Sequence, residues 1–413
     1  MSTAWTPSRS TAAPAGPGAY LPPASVQRRW RDNLRIWWRE IDKVLLGLIV
    51  LLMAIGVLAV AAASPASADQ LSTAKVTLDE FMFFKRHIVF QLMGLSLMIG
   101  LSFLSRDKAR QLGIVVGAIM LALLFVVPVI GEEKNGARRW INVGMSLQPS
   151  EFLKPGFAII CAWVLSWKLR DASMPVIAFV TGLMGLIAAL LMAQPNLGDA
   201  ILFGGIWLVM VVLAGVAWQR IAMLIGGGAA ALSLAYMFYD NARHRIDSFL
   251  GGGTAFDQVD LAQRTLLAGG WTGSGLWLGV RKMNLPEAHT DYIFSVIGEE
   301  FGLLICGMIV ALYAALVVRA LYRMTGEDNL FALLAGVGLI TQFGGQAFIN
   351  ILVNLKLFPS KGMTLPLISY GGSSTLAVCF TLGLLLAITR RNPFLVNESG
   401  GLRELIERKD SPA

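Results

Sequence analysis

The sequence predicts an all-α polytopic membrane protein with about ten transmembrane helices, both termini cytoplasmic, and a large extracytoplasmic loop between helices 7 and 8. Of its 413 residues, 55% are hydrophobic and only 15% are charged, and the mean hydropathy is +0.64. Soluble proteins carry about a quarter charged residues. The composition therefore excludes a soluble enzyme, a nucleic-acid-binding module and a disordered scaffold.

The chain begins with a segment that cannot bury a core. Residues 1–26 are rich in Pro, Ala, Ser and Gly, which predicts a disordered cytoplasmic tail. Residues 27–43 place tryptophan and leucine at helical spacing among arginines, which predicts a basic amphipathic helix on an anionic membrane surface. Residues 391–413 are predicted to form a second cytoplasmic tail.

Residues 44–390 contain ten apolar runs that reach, or nearly reach, the length needed to cross a ~30 Å hydrocarbon core. An open-ended chain can satisfy its backbone groups in lipid only as helices, so the runs predict a helical bundle. The fourth run is short, and we expect its helix to extend back into the preceding loop. The runs are 44–63, 88–104, 113–130, 155–167, 174–193, 200–218, 221–239, 293–318, 330–353 and 373–389.

Charge distribution predicts the orientation of the bundle. The side that carries the N-terminus has more Lys and Arg and is therefore predicted to be cytoplasmic. Basic clusters on the opposite side run against this rule and call for another explanation. Cys161, Cys306 and Cys379 lie inside apolar runs, and the three histidines lack metal-ligand spacing, which argues against disulfide and zinc chemistry.

Three outward-facing segments could carry chemistry. The first covers residues 136–155, where Ser150 is a predicted N-cap of the fourth helix. Glu151 and Lys154 then fall three residues apart, at ion-pairing distance on one helix face. The alternative is a loop that anchors lipid headgroups and holds a local salt bridge.

The second segment is a glycine-rich loop, residues 240–291, that ends at Asp291 where the chain re-enters the membrane. A carboxylate at this depth is costly, which favours a functional role, although an interaction with the helix dipole is the alternative. Glu299 lies about 12 Å further along a helix, too far for a glycosidase-type pair. Glu287 would lie about 6 Å from Asp291 if its turn were helical.

The third segment, residues 358–374, opens the tenth helix with glycines and serines, including Ser369 and Ser373. Backbone N–H groups at such a helix start could bind an anion together with Lys361, or the segment could simply cap the helix. On the ninth span, Gln342, Gln346, Asn350 and Asn354 recur every fourth residue. This stripe predicts interhelical hydrogen bonds or the lining of a cavity.

Together, these features suit a substrate with a lipid tail and a phosphate-bearing head, and specific motifs narrow the choice. PEAHTDYIF at 286–294, IGEE at 297–300, KGMTLP at 361–366, RWI at 139–141 and QPSEFLK at 148–154 resemble the signature of the SEDS (shape, elongation, division and sporulation) family. The KGMT form resembles the division branch more than the elongation branch. The resemblance spans nearly all of residues 40–395.

The resemblance implies an inverting peptidoglycan glycosyltransferase that polymerises lipid II. It implies that Asp291 is the general base and that undecaprenyl pyrophosphate is the leaving group. Arg139, Lys154 and Lys361 are the predicted cations for the pyrophosphate, and Glu151 is expected to orient Lys154. The other residues predicted to bind substrate are Glu287, His289, Ser369 and Ser373.

The resemblance also implies partners and a place in the cell. The expected partners are lipid II, the nascent glycan strand, a class B penicillin-binding protein acting as division transpeptidase, other divisome proteins and the membrane, with no nucleic acid. The expected location is the bacterial inner membrane at the division septum, with the active site on the periplasmic side. No cofactor is required by the sequence, and a divalent cation (Mg²⁺ or Mn²⁺) stays open.

Two departures from the family and two other functions need attention. Residues 194–198 read QPNLG, so Asn196 stands where the family commonly has Asp, and Asp199 is the nearest carboxylate. Residues 271–277 contain more tryptophan than the family leads us to expect. The polar stripe also motivates a lipid II flippase, and the long tail motivates a non-catalytic divisome scaffold.

Overall fold

The structure is a computed structural model of the full chain. It describes residues 30–72, 77–134, 137–142, 144, 146–169, 174–216, 218–238, 243, 247, 258–359 and 362–390. The predicted tails at 1–26 and 391–413 lie outside these residues. The chain forms two compact units, Met1–Arg39 and Glu40–Ala413.

The predicted amphipathic helix corresponds to α1, Trp30–Glu40. A new helix, α2 (Lys43–Leu71), begins where the prediction had α1 still running. The two helices are separate because Asp42 starts a new one: its carboxylate accepts the backbone N–H of Leu45 at 3.0 Å and caps α2.

All ten apolar runs fold as helices, which confirms the all-α polytopic class. The fourth helix, α5, starts at Pro149 and so reaches back as predicted. The helices after α1 that match the runs are α2 (Lys43–Leu71), α3 (Met82–Ser102), α4 (Arg106–Ile130), α5 (Pro149–Ser166), α6 (Val176–Ala193), α7 (Leu197–Leu213), α8 (Trp218–Phe238), α10 (Ile293–Met324), α11 (Leu330–Asn354) and α12 (Gly372–Thr389).

Seven of these helices are long and apolar enough to cross a membrane by length and composition, namely α2, α3, α4, α6, α10, α11 and α12. Helix α7 is apolar but has only 17 residues. Ten spans and two cytoplasmic termini therefore remain predictions.

The connections between spans are partly folded. Strands β1 (Glu132–Lys134), β2 (Ala137–Asn142) and β3 (Ser146–Leu147) form a small antiparallel sheet between α4 and α5. The predicted large loop contains α9 (Gln258–Ala268) and a 3₁₀ turn, Arg281–Asn284, in its described part. Helix α10 is bent at Gly302, whose φ of +85° lies in the left-handed region that favours glycine.

The core of the bundle is formed by α11 and α12. Helix α11 packs against α5, α7, α10 and α12, and α12 also packs against α3. Both helices are buried along most of their length, which explains why α11 can carry polar side chains that lipid would not tolerate.

One end of the bundle is marked by ion pairs, which we call the charged belt: Asp42, Arg106, Arg319, Arg323 and Glu327. Asp42 Oδ2 lies 2.8 Å from Arg319 and 3.0 Å from Arg323. Arg106 binds Glu327 through two parallel hydrogen bonds, a bidentate geometry. Because α2 and α4 begin here and α10 ends here, the belt defines one membrane face of the bundle.

Candidate active site

The second and third sequence segments meet in the structure. Two hydrogen bonds join them: Tyr370 N–H to the His289 carbonyl at 2.9 Å, and the Ser369 hydroxyl to the Thr290 carbonyl at 2.6 Å. The Ser369 oxygen also accepts the N–H of Leu365 at 2.8 Å. We call these adjoining loops, 285–292 and 362–371, the Asp291 site. Ser369 joins them and so has a positioning role here.

Helix α11 holds the backbone of Asp291. The Asn350 and Asn354 amides donate to the Asp291 carbonyl at 2.8 and 3.1 Å, and Asn350 also donates to the Met363 carbonyl at 2.6 Å. Asn354 in turn accepts the Ser295 hydroxyl at 2.7 Å. The predicted polar stripe therefore bonds a neighbouring helix through Ser295, as the first of its two interpretations had it, and also bonds the two loops of the Asp291 site.

The carboxylate of Asp291 lies beside Gly362, at the start of the 362–371 loop. A Cβ built on Gly362 would lie 3.5 Å from Asp291 Oδ2, and the Asp291 side chain is half-buried. The Asn350 and Asn354 amides bond the backbone carbonyl of Asp291 and not its carboxylate. They therefore fix the position of the residue through its main chain.

Glu287 does not lie on a helical turn, so the 6 Å estimate does not apply. Its φ is +54°, and its carboxylate accepts the Thr290 hydroxyl at 2.7 Å across the turn. Pro286 also disfavours the helical conformation in Leu285, the residue before the proline, so a helix does not run into this turn. Glu287 therefore braces the turn that leads to Asp291.

His289 packs into an aromatic cluster. Its ring lies 4.1 Å from the Phe83 ring and 5.4 Å from the Tyr370 ring, and its Nδ1 atom has no hydrogen-bond partner. Burial lowers the pKa of His289 to about 4, with the charge of Glu287 acting in the opposite direction. The imidazole is therefore neutral at physiological pH.

The anion site predicted at the start of α12 is only partly described. Helix α12 begins at Gly372 with Gly371 as its N-cap, and Ser373 is buried in the first turn. Lys361 lies outside the described residues.

A second polar region lies between α5, α7 and α11, and we call it the Lys154 cluster. Lys154 Nζ lies 2.7 Å from Glu151 Oε1 and 2.9 Å from Asp199 Oδ1, and its side chain is 0% exposed. The predicted Glu151–Lys154 pair is therefore confirmed. The structure adds Asp199 from α7 as a second carboxylate, which leaves the ammonium enclosed rather than offered to a ligand.

The prediction that Ser150 caps the fourth helix is wrong. The N-cap is Gln148, and Pro149 occupies the first helical position, where its fixed φ suits the helix. The Ser150 hydroxyl instead donates to Asp199 Oδ2 at 2.7 Å.

Asn196, which departs from the family pattern, caps α7, and its amide donates to Asp199 Oδ2 at 2.7 Å. In this chain the carboxylate that meets Lys154 from α7 is that of Asp199, three residues later, and Asn196 supports it.

Gln346 connects the two regions. Its side-chain oxygen accepts from Lys154 Nζ at 3.4 Å, and its amide donates to the Thr364 carbonyl at 3.1 Å. The same face of α11 therefore contacts both the Lys154 cluster and the 362–371 loop.

Arg139, on β2, is buried against the turn between α6 and α7. Its guanidinium donates to the Gln194 carbonyl at 2.9 Å and to the Pro195 carbonyl. It therefore holds the residues that precede Asn196, next to the Lys154 cluster.

Glu299 and Glu300 hold the end of the large loop. Glu299 accepts the backbone N–H groups of Arg281 and Lys282 at 2.7 and 2.8 Å. Glu300 pairs with the buried Lys282 ammonium. This agrees with the exclusion of Glu299 as a partner acid for Asp291. Sequence reasoning missed Lys282, which lies in a loop and shows no periodicity that would have pointed to it.

Within the described residues, no group of three His, Cys, Asp or Glu side chains is arranged to hold a metal ion, and the three cysteines are free and buried.

Comparison with known proteins places the chain in a family. The family model for FtsW, RodA and SpoVE, described as "cell cycle protein", matches residues 42–393. A relative in Caulobacter vibrioides is 36% identical over 372 residues, which is 90% of this chain and 94% of that protein. A relative in Halorhodospira halophila is 35% identical over 84% of this chain and 90% of that protein. Both carry the name "probable peptidoglycan glycosyltransferase FtsW".

Two solved structures share the fold. One comes from a study of how a peptidoglycan synthase complex coordinates polymerization and crosslinking, with TM-score 0.69, 29% identity, and coverage of 86% of this chain and 98% of that one. The other is the rod shape determining protein RodA of Thermus thermophilus, with TM-score 0.62, 28% identity and the same coverage. The chain is therefore a member of the SEDS family of FtsW, RodA and SpoVE proteins.

Proposed function

We propose that this chain polymerises lipid II into glycan strands during cell division, with Asp291 as the general base. Asp291 takes the proton from the 4-hydroxyl of the acceptor sugar as that oxygen attacks the anomeric carbon of the lipid-linked donor strand. The bond from the anomeric carbon to the pyrophosphate breaks, its electrons leave with undecaprenyl pyrophosphate, and the configuration inverts.

The hold on the Asp291 backbone is the observation that supports this proposal most. Two amides of α11 and two bonds from the 362–371 loop fix the residues from His289 to Asp291. A general base must be placed within hydrogen-bond reach of the proton that it removes, so such a scaffold is what a single catalytic carboxylate needs.

The predicted cations divide into two roles in this proposal. Lys361 contacts the pyrophosphate and stabilises its developing charge, since Lys154 is enclosed by two carboxylates and the buried Arg139 binds the Gln194 and Pro195 carbonyls. Lys154 keeps α5, α7 and α11 in register, with Glu151 holding its ammonium. Glu287, His289 and Ser373 shape the loops that receive the sugar.

The division role and the partner rest on the comparisons. The relatives are named FtsW, and one similar structure belongs to a complex that couples polymerization to crosslinking. We therefore propose that a class B penicillin-binding protein acts with this chain at the septal inner membrane, with the Asp291 site facing the periplasm. The flippase alternative draws less support from the polar stripe, because Gln342 bonds Thr381 of α12 and Asn350 bonds the Asp291 carbonyl.

The test is lipid II polymerisation by the purified protein together with its transpeptidase partner. Asp291→Asn keeps the shape and removes the base, so we expect the rate to fall by about 10²-fold or more. Asp79→Asn, at an exposed ion pair far along the chain, is the matched control and should keep the wild-type rate. Polymerisation at the wild-type rate by a folded Asp291→Asn protein would refute the assignment of the base.

A further inference from the structure

The segment 271–280, between α9 and the 3₁₀ turn, exposes an unusual set of apolar side chains. Trp271, Trp277, Leu278 and Val280 are 70%, 51%, 69% and 73% exposed. Large apolar side chains that cluster on a surface mark a contact with another apolar phase. The proposed reaction uses none of them.

Helix α2 gives the depth of this segment in the membrane. The Trp277 indole N–H donates to the Ala61 carbonyl at 3.1 Å. Ala61 lies about 27 Å along α2 from Lys43, beside the charged belt, at 1.5 Å per residue. This distance is close to the ~30 Å thickness of the hydrocarbon core.

Helix α10 gives the same depth independently. The N–H of Leu304 donates to the Trp271 carbonyl at 3.2 Å, and the N–H of Leu303 donates to the Gly270 carbonyl at 2.9 Å. Leu304 lies about 28 Å along the helix from Arg323, which is itself part of the charged belt. Both helices therefore place the segment at the membrane interface opposite the belt.

Four backbone N–H groups of the segment are satisfied by two residues of α10. The carboxylate of Glu300 accepts the N–H groups of Trp277 and Gly279, and the carbonyls of Glu299 and Glu300 accept those of Ser274 and Gly275. Non-helical backbone at membrane depth is tolerated only when its polar groups are satisfied in this way. A loop in water would not need a buried carboxylate such as that of Glu300 for this purpose.

Two glycines allow the backbone of the segment to approach α10 closely. A Cβ on Gly273 would lie 2.3 Å from the Glu300 carbonyl, and one on Gly279 would lie 2.8 Å from Glu299 Cδ. With the backbone this close to α10, the larger side chains are left to face outward.

We propose that the 271–280 segment is embedded in the membrane interface and that Trp271, Trp277, Leu278 and Val280 contact phospholipid acyl chains. Tryptophan is enriched at this depth because its ring is apolar and its N–H is polar. The surface is continuous with the lipid-facing sides of α2 and α10, where Leu58 and Leu304 are 61% and 60% exposed.

This contact has a consequence for Asp291, although it does not depend on Asp291 being the base. Glu299 and Glu300 lie in the first part of α10, which starts at Ile293. A segment that is anchored in lipid and bonded to this part of α10 holds Asp291 at a fixed height above the acyl chains, where a lipid-linked substrate presents its pyrophosphate.

The test places a nitroxide at Leu278→Cys or Val280→Cys in nanodiscs of phosphatidylethanolamine and phosphatidylglycerol. The native cysteines are buried and free, so the new thiol is the one that reacts. Oxygen concentrates in lipid and a nickel chelate stays in water, so the ratio of the two relaxation effects reports the surroundings. Leu58→Cys is the lipid-facing control, and Arg138→Cys, on the exposed side of β2, is the water-facing control.

We expect both positions to match Leu58→Cys, with oxygen access several-fold above nickel access. Access by nickel, as at Arg138→Cys, would overturn the proposal, and exclusion of both reagents would also overturn it by showing a protein neighbour such as a second copy. A smaller quenched share of the tryptophan fluorescence in brominated phospholipids after Trp271→Phe supports the proposal without a new cysteine, and an unchanged share contradicts it.

Discussion

The Asp291 site and the Lys154 cluster use polar groups in opposite ways. In the Lys154 cluster, charged side chains bind one another, and no exposed surface remains on the ammonium. In the Asp291 site, neutral amides and hydroxyls bind the backbone around a half-buried carboxylate. Helix α11 serves both, through Gln346 in one case and Asn350 in the other.

This difference separates stability from chemistry. A charge buried in a helical bundle is tolerated only with its partner. Removing one member leaves the other charge buried and unpaired, and its full desolvation cost then lowers the stability of the folded protein. A backbone held by neutral groups can lose one bond at modest cost while the attached side chain moves. We therefore expect changes in the cluster to unfold the protein and changes around Asp291 to inactivate it.

The largest effect is expected from Lys154→Met. It leaves Glu151 and Asp199 buried without a cation, and loss of one partner of a buried pair costs about 3–5 kcal/mol. Thermal unfolding in detergent measures it. The matched change, Lys356→Met, breaks the exposed pair with Asp260 and should cost no more than about 1 kcal/mol. Equal losses in the two variants would mean that the cluster is not the stabilising element described above.

A loss of activity without comparable unfolding is expected from Asn350→Leu. It removes the bonds to the Asp291 and Met363 carbonyls, and a displacement of about 1 Å in the base can cost on the order of 10²-fold in rate. Gln342→Leu, on the same face of α11 but bonded to Thr381, is the control and should keep most of the activity. If both variants lose activity equally, the effect belongs to α11 as a whole.

A smaller effect, and a reversal, is expected at α7. Asp199→Asn removes one of the two carboxylates of Lys154, and adding Asn196→Asp places a carboxylate one helical turn earlier, where relatives of this family commonly have it. We expect the double variant to regain part of the thermal stability that the single variant loses. A double variant that is less stable than Asp199→Asn alone would show that the two positions are not interchangeable.

The smallest effect is a dependence on pH. Burial lowers the pKa of His289 to about 4, whereas an unfolded histidine has a pKa near 6.5. Between these values the unfolded state takes up a proton that the folded state does not, so stability falls as the pH drops from about 6.5 towards 4. The melting temperature of His289→Asn should therefore fall less than that of the wild type between pH 7 and pH 5.

Hydropathy predicted most of the fold because each span is a long local pattern. All ten runs became helices, with ends that differ by up to eight residues, and the Glu151–Lys154 pair followed from helical spacing alone. The Ser150 cap failed because Pro149 can start a helix and because Ser150 had a partner on another helix.

The site was predictable as motifs but not as an assembly. Sequence reasoning placed Asp291 and the 358–374 segment on one side of the membrane, yet it had no means to pair Tyr370 with His289. The contacts of Asn350, Asp199 and Lys282 join residues that are distant in the chain, and their periodicity or composition says nothing about which neighbour they meet. Such contacts depend on how the helices pack.

The left-handed conformation of Gly302 interrupts the helix, so the orientation of Asp291 does not depend on the helical rotation of residues 303–324. In an unbroken helix each residue turns the chain by about 100°, so inserting one residue anywhere would swing the Asp291 carboxylate by that angle. At Gly302 the helical hydrogen bonds give way to bonds with the carbonyls of Gly270 and Trp271. The part of α10 after Gly302 can therefore gain or lose a residue, which rotates the face that it shows to lipid, while the Asp291 carboxylate keeps its orientation.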